Sequence, residues 1–132
     1  MNGVLVDTSV WVDHFRRSNG SLVHLLSIDR VWVHPWVIGE VACGRPPQRT
    51  ATLQAMRALQ VSAQPTPDEV LAFVERDQLF GSGCGLIDLT LLASTLMTPG
   101  LQLWTMDARL ARWAQQFGVC FTPSLHEPGP AW

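Results

Sequence analysis

Short apolar runs alternate along this chain with longer stretches whose apolar residues recur at helical spacing. Val4-Leu5-Val6, with two β-branched residues, predicts a strand buried on both faces. Thr8 to Arg17 places Val10, Trp11, His14 and Phe15 on a helical pattern, which Ser18-Asn19-Gly20 ends. A shorter helix over about 21–27 leads through Ile28-Asp29-Arg30 into a second strand, Val31-Trp32-Val33. Two strands joined by helix form a βαβ unit, whose crossover is right-handed almost without exception and whose strands run parallel.

His34-Pro35 opens the next helix, with Pro35 in its first turn, and the pattern continues through Cys43 to Gly44 and Pro46-Pro47. A more polar helix follows from Arg49 to Gln60 with Leu53, Met56 and Leu59 as its apolar stripe, and Val61-Ser62-Ala63 reads as a brief extended piece. Pro67-Asp68-Glu69 starts another helix, continued by Val70, Leu71, Phe73 and Val74. Gly81-Ser82-Gly83-Cys84-Gly85 is glycine-rich, but no P-loop Lys-Ser/Thr follows it. It reads as a loop that lets two helices and a substrate approach closely. Leu86 to Met97 is the most apolar helix and is expected at the centre of the fold. Pro99-Gly100 turns the chain into a strand over 101–105, a helix runs from about Ala108 to Phe117, and Val119-Cys120-Phe121 forms a last strand. Residues 122–132, with Pro123, Pro128 and Pro130, read as a C-terminal tail.

At 132 residues the chain fits one α/β domain spanning residues 1–132. No stretch approaches the roughly 18 uncharged apolar residues of a membrane span. The N-terminus lacks a basic region before an apolar run, so a cytoplasmic protein is expected. Cys43, Cys84 and Cys120 are widely spaced among apolar or glycine neighbours, as buried thiols in a reducing compartment would be. A net charge of −2 removes the overall basic footprint of many nucleic-acid binders. All nine basic residues are arginine, whose planar guanidinium binds phosphate bidentately, although genome composition produces the same bias. Six tryptophans (Trp11, Trp32, Trp36, Trp104, Trp113 and Trp132) exceed what one small core absorbs, so some are expected to face a partner. Trp32 and Trp104 fall in strands and read as core. The four histidines show no paired metal-ligand spacing.

Four carboxylates stand alone in apolar sequence. Asp7 follows the first strand and is the only side-chain charge before Asp13. Glu40 is the only one between Arg30 and Arg45, and Asp88 the only one between Asp77 and Asp107. Asp107 repeats, after the 101–105 strand, the placement of Asp7. Three of them have a plainer reading: Asp7 and Asp88 as helix-capping groups, Glu40 as a side chain pointing into water. Convergence on one site accounts for all four together. Four adjacent carboxylates repel unless a divalent cation keeps them ionised, and hard oxygen donors select magnesium or manganese. Such ions position water for in-line attack on a phosphodiester, which is metal-dependent nuclease chemistry.

Val-Asp-Thr-Ser at Val6 to Ser9, Gly-Glu-Val at Gly39 to Val41, Ile-Asp-Leu at Ile87 to Leu89 and Trp-Thr-Met-Asp at Trp104 to Asp107 together resemble the PIN domain. More narrowly they resemble the VapC-type toxins of bacterial toxin–antitoxin pairs. The resemblance runs from Val4 to about Phe121. It implies a three-layer α/β/α sandwich around a central, mainly parallel sheet, and magnesium-dependent endoribonuclease activity on tRNA or another structured RNA. It also implies a cognate antitoxin that occludes the site, and a homodimer. By position Asp7, Glu40, Asp88 and Asp107 take the acidic, metal-binding and catalytic roles. Asp7 and Asp107 would be central ligands, with Glu40 and Asp88 binding directly or through water. Thr8, Ser9 and Thr105 either orient those carboxylates or cap helices. Arg109 reads as an exposed helix arginine, with the scissile phosphate as its other possible partner.

Two other readings compete. A phosphatase using Asp7 as a covalent nucleophile would want a second aspartate where Ser9 stands and a lysine the chain lacks. A PIN-like module that binds RNA or protein without turnover keeps the same fold, and metal-dependent cleavage separates it from the nuclease.

Overall fold

A computed structural model describes residues 2–123. The expected tail beyond Pro123, with His126 and Trp132, lies outside the described residues. The elements run β1 (Val4–Val6), α1 (Thr8–Arg17), α2 (Gly20–Ser27), β2 (Val31–Val33), α3 (Pro35–Cys43), α4 (Arg49–Arg57), β3 (Gln60–Val61), α5 (Pro67–Arg76), α6 (Leu86–Met97), β4 (Gln102–Trp104) and α7 (Ala108–Gln116). The strands form one sheet in the order β3-β2-β1-β4, every pair parallel. β1 lies in the middle, with Val4 opposite both Val31 and Gln102. Its three side chains are fully buried, as strands covered on both faces require.

The order of the strands dictates the layers. Right-handed connections that step from β1 to β2 to β3 put α1 to α4 on one face of the sheet. The connection from β3 back across to β4 steps the other way and carries α5 and α6 to the opposite face, where α7 joins them. Packing agrees, with α1 against α3, α3 against α4, α5 against α6 and α6 against α7. The result is the three-layer α/β/α sandwich. Its core includes Leu5, Leu22, Val33, Met56, Leu91, Leu92, Leu103 and Leu110. The sheet reverses its winding between β1 and β4, and in open α/β sheets the crevice beyond the carboxyl ends of such strands is where ligands bind.

Several elements differ from the sequence expectation. The helix begun at Arg49 stops at Arg57, because Gln60 and Val61 leave it to pair with Trp32 and Val33. The expected last strand reduces to a single bridge between Leu103 and Cys120, held by hydrogen bonds of 2.7 and 2.8 Å on either side of Leu103. The cysteines are not buried: Cys43 is exposed, and Cys84 and Cys120 are half-buried. α3 buries Val37 and Val41 on one face, and Cys43, two residues further at about 100° per residue, points away from it. Of the tryptophans expected to face a partner, Trp36 alone among the described residues is strongly exposed, at 56%. Trp11 and Trp104 are core residues, and Trp32 and Trp113 pack against the core.

Candidate active site

Asp7 occupies the N-cap position of α1, yet its side chain makes no capping hydrogen bond. Instead the carboxylate is 6% exposed, and its Oδ2 accepts two hydroxyl hydrogen bonds of 2.7 Å, from Ser9 and from Thr105. Each hydroxyl also accepts a backbone N–H from the segment after β4: Ser9 from Met106 and Thr105 from Asp107, both at 3.0 Å. The carboxyl ends of β1 and β4 are thus stitched together through Asp7. The capping reading of Asp7 fails, and neither Ser9 nor Thr8 caps α1. Thr8 donates to Oε1 of Glu40 at 2.6 Å, joining the start of α1 to the exposed face of α3.

The other two acids combine a local duty with their place at this edge. Asp107 is the N-cap of α7, its Oδ1 accepting the N–H groups of Arg109 and Leu110 at 2.9 and 3.2 Å. Those bonds, led by that from Leu110, and the guanidinium of Arg109 hold its carboxyl below the usual range. Asp88, in the first turn of α6, accepts the N–H of Gly85 at 3.3 Å. Burial pushes its proton affinity up, and the negative charges of Asp7, Asp107 and Glu40 add to that, overcoming the Gly85 hydrogen bond. All four lone carboxylates therefore share one electrostatic site, assembled from β1, α3, α6 and the end of β4.

Arg109 stands at this edge with its side chain half-exposed and its Nη2 3.7 Å from Oδ2 of Asp107. The 81–85 loop accommodates it. Gly83, at φ +91°, lies so close that a Cβ there would meet Arg109 Cδ and Nη1 at 2.8 Å. The loop was legible as a close-approach loop, but that it is arginine which approaches is a tertiary fact. Cys84 beside it keeps its proton, its thiol raised by burial. His14 and His34 serve the backbone, their Nδ1 atoms accepting from Asn19 and Trp36.

Carboxylate and hydroxyl oxygens make a donor set suited to a hard divalent cation. The like-charge field that raises Asp88 is what such a cation would relieve. Each carboxylate is meanwhile held by its own donor, and among the described residues no three His, Cys, Asp or Glu side chains are disposed to grip one ion together.

Comparison with known proteins places the chain. Ribonuclease VapC32 of Mycobacterium tuberculosis, in strains CDC 1551/Oshkosh and ATCC 25618/H37Rv alike, is 42% identical over 122 residues, covering 92% of this chain and 98% of the relative. The crystal structure of PAE2754 from Pyrobaculum aerophilum superposes with a TM-score of 0.54 at 20% identity, over 84% of this chain and 78% of that one, and shares the fold. No family model matches. The 42% identity to VapC32 over nearly the whole of both chains, on a three-layer fold around a parallel sheet, means that the chain belongs to the VapC family of PIN-domain ribonucleases.

Proposed function

We propose that this protein is a magnesium-dependent endoribonuclease that hydrolyses phosphodiester bonds of tRNA or another structured RNA, and acts as the toxin of a toxin–antitoxin pair. The observation that carries this reading is the buried Asp7 carboxylate held by Ser9 and Thr105 where β1 and β4 meet, with Asp107 closing the same segment and the charges of Asp7, Asp107 and Glu40 reaching Asp88. The ribonuclease name of the 42% identical relative supports it.

Asp7 and Asp107 would be the main holders of Mg2+, or of Mn2+ in its place, with Glu40 and Asp88 binding directly or through water. A bound ion of this kind supplies positive charge at the phosphate and a water of lowered pKa. The chain's own groups do the rest. Ser9 and Thr105 fix the rotamer of Asp7, Thr8 fixes that of Glu40, and the α7 N-terminus fixes Asp107. Glu40 or Asp88 takes the proton released by the attacking water. Burial of Asp7 keeps bulk water off the carboxylate that the other groups surround.

Protein partners are proposed on a different surface. Trp36 and Leu86, 56% and 58% exposed, border a largely apolar cavity of about 600 Å³ between α3, α5 and α6, next in sequence to the acids. A cognate antitoxin that covers the site, and a homodimer, are the partners this surface supports. No helix among the described residues is long and apolar enough to cross a membrane, and the proposed location is the cytoplasm, where the RNA is.

The test is cleavage of a panel of tRNA and structured RNA by purified protein with magnesium, with chelator, and with Asp7→Asn. Discrete cuts that need the metal and vanish in the variant are expected. A wild-type protein that binds metal yet leaves every RNA intact would favour the binding module without turnover.

A further inference from the structure

An anionic RNA approaching four carboxylates is repelled unless cations flank them, and the chain's charge offers no general attraction. Attraction then falls to those arginines that are free to meet phosphate. Arg17 is committed to Asp13 at 2.7 Å, Arg76 to Asp77 and Arg109 to Asp107. Arg30 donates to the carbonyl of Asn2, and Arg49 to those of Ala42 and Gly44. Among the described residues that leaves Arg16, Arg45, Arg57 and Arg112 without a hydrogen-bonded or ion-paired partner, all of them exposed.

Two of these four line one cavity. Arg16 from α1 and Arg45 from the loop after α3 wall a groove of about 470 Å³ that also contains Glu40, with Val12, Phe15 and Gly44 in its lining. The groove is built rather than incidental. Arg49 pins the carbonyl of Gly44 at 3.3 Å, and Thr52 donates to the carbonyl of Pro47 at 2.6 Å, so the loop that presents Arg45 is tied down at both ends. On α1, Asp13 would otherwise compete for Arg16, but Arg17 and Asn19 occupy both of its oxygens. A groove with two uncommitted guanidiniums and one catalytic-site acid matches a phosphodiester chain that lies across the arginines and delivers one phosphate to the carboxylates.

We propose that this groove between α1 and the loop after α3 is the track on which the RNA backbone leaves the site, held by Arg16 and Arg45. The proposal rests on the nuclease reading for the identity of the strand, and it adds the side of the molecule on which that strand runs. Phosphate contacts of this kind position a strand without reading its sequence, so they set affinity and salt dependence rather than target choice.

The experiment measures binding of a short, labelled, mixed-sequence single-stranded RNA by anisotropy as a function of salt. The protein is the full chain carrying Asp7→Asn with magnesium present. Arg16→Gln with Arg45→Gln is compared with the control pair Arg57→Gln and Arg112→Gln, after melting curves show all variants folded. The expected result is that the first pair weakens binding about 10-fold and lowers the slope of log affinity against log salt by about 1.4, roughly 0.7 per lost phosphate contact, while the control pair changes little. In the Asp7-intact protein the first pair raises KM and leaves kcat within about 2-fold. Equal losses in both pairs would mean that diffuse charge holds the RNA, and would overturn the proposal. So would unchanged binding in the first pair, which would leave the groove to a protein partner, and so would an absence of RNA binding altogether. A lowered slope in a protein that cleaves no RNA would uphold the groove and defeat the nuclease reading instead.

Discussion

The hydroxyl of Thr105 donates a 2.7 Å hydrogen bond to Oδ2 of Asp7, a residue 98 positions earlier in the chain. The same oxygen accepts the hydroxyl of Ser9, and both hydroxyls take a backbone N–H from the segment that leads to Asp107. This three-residue knot holds two of the four acids in fixed relation. Thr105→Val keeps the shape and removes both the donor and the acceptor. We expect RNA cleavage by Thr105→Val to fall about 10-fold, the scale on which groups supporting a metal ligand act. Ser9→Ala should behave similarly, and the double variant should lose less than the product of the two because both hydroxyls serve one oxygen. Single-turnover cleavage rates check this, and full activity in Thr105→Val would show that the knot is only structural.

Asp88→Asn should separate stability from activity. The folded state raises the proton affinity of Asp88 through burial and three like charges, so ionisation costs the fold stability. That penalty is absent below the ordinary carboxylate value of 3.8, grows as pH rises from there to the raised folded value, and is fully present above it, at neutral pH. In chelator at neutral pH, Asp88→Asn should melt a few degrees above wild type, the gain should vanish toward about pH 3, and cleavage should be lost. A lower melting temperature at neutral pH would show that the Gly85 hydrogen bond outweighs the repulsion.

His34 predicts a second pH dependence of opposite sign. Its Nδ1 caps α3 by accepting the Trp36 N–H at 2.9 Å, while its Nε2 is buried without a hydrogen-bond partner. Burial lowers its pKa below 6.5, so the unfolded chain takes up a proton that the fold resists. Stability is therefore held above the unfolded value of 6.5 and lost as pH falls below it toward the folded value. His14 is lowered by burial as well, with Asp13 opposing, and adds in the same direction. The melting temperature should decline between about pH 7.5 and about pH 5.5, and His34→Asn, which can still cap, should flatten part of that decline. Parallel curves for variant and wild type would remove His34 from the account.

Gly83 and Gly85 make a matched pair. Alanine at Gly83 would adopt φ +91° and meet the Arg109 side chain at 2.8 Å, whereas a Cβ at Gly85 meets nothing within 4 Å. Gly83→Ala should destabilise the protein by roughly 1–2 kcal/mol and push Arg109 away from Asp107. Gly85→Ala should be nearly neutral. Urea unfolding of the two variants decides it, and equal midpoints would mean that the loop moves without cost.

Most of the helices and central strands were legible because their signal is carried by the residues themselves. Val4-Leu5-Val6 and Val31-Trp32-Val33 are apolar enough to require burial on both faces, and Pro35, Pro67 and Gly118 mark helix boundaries where φ or the loss of an N–H leaves little choice. β3 was the harder case. An extended piece was legible at Val61-Ser62-Ala63, but Gln60 and Val61 are exposed, and the strand falls at 60–61 because Trp32 and Val33 offer unpaired backbone there. The bridge at Cys120 is likewise a matter of what Leu103 presents, reinforced by Phe121 packing on Trp104 at a ring separation of 5.2 Å.

The same division runs through the site. Isolation in apolar sequence was sufficient to single out Asp7, Glu40, Asp88 and Asp107, because a lone charge in such surroundings needs a compensating environment wherever the chain puts it. What that environment is depends on residues tens of positions away. A hydroxyl following a strand suits a helix cap and a neighbouring carboxylate equally well, and only the meeting of β1 with β4 turns Ser9 and Thr105 toward Asp7. Arginines are alike in sequence, and only their finished contacts leave Arg16 and Arg45 uncommitted beside Glu40. Sequence by itself determined which groups had to be charged, buried or turned, since those are properties of single residues and their near neighbours. The tertiary structure decided which of them meet, since hydrogen bonds and charge pairs fall off within a few ångströms and the strand order alone sets who stands that close.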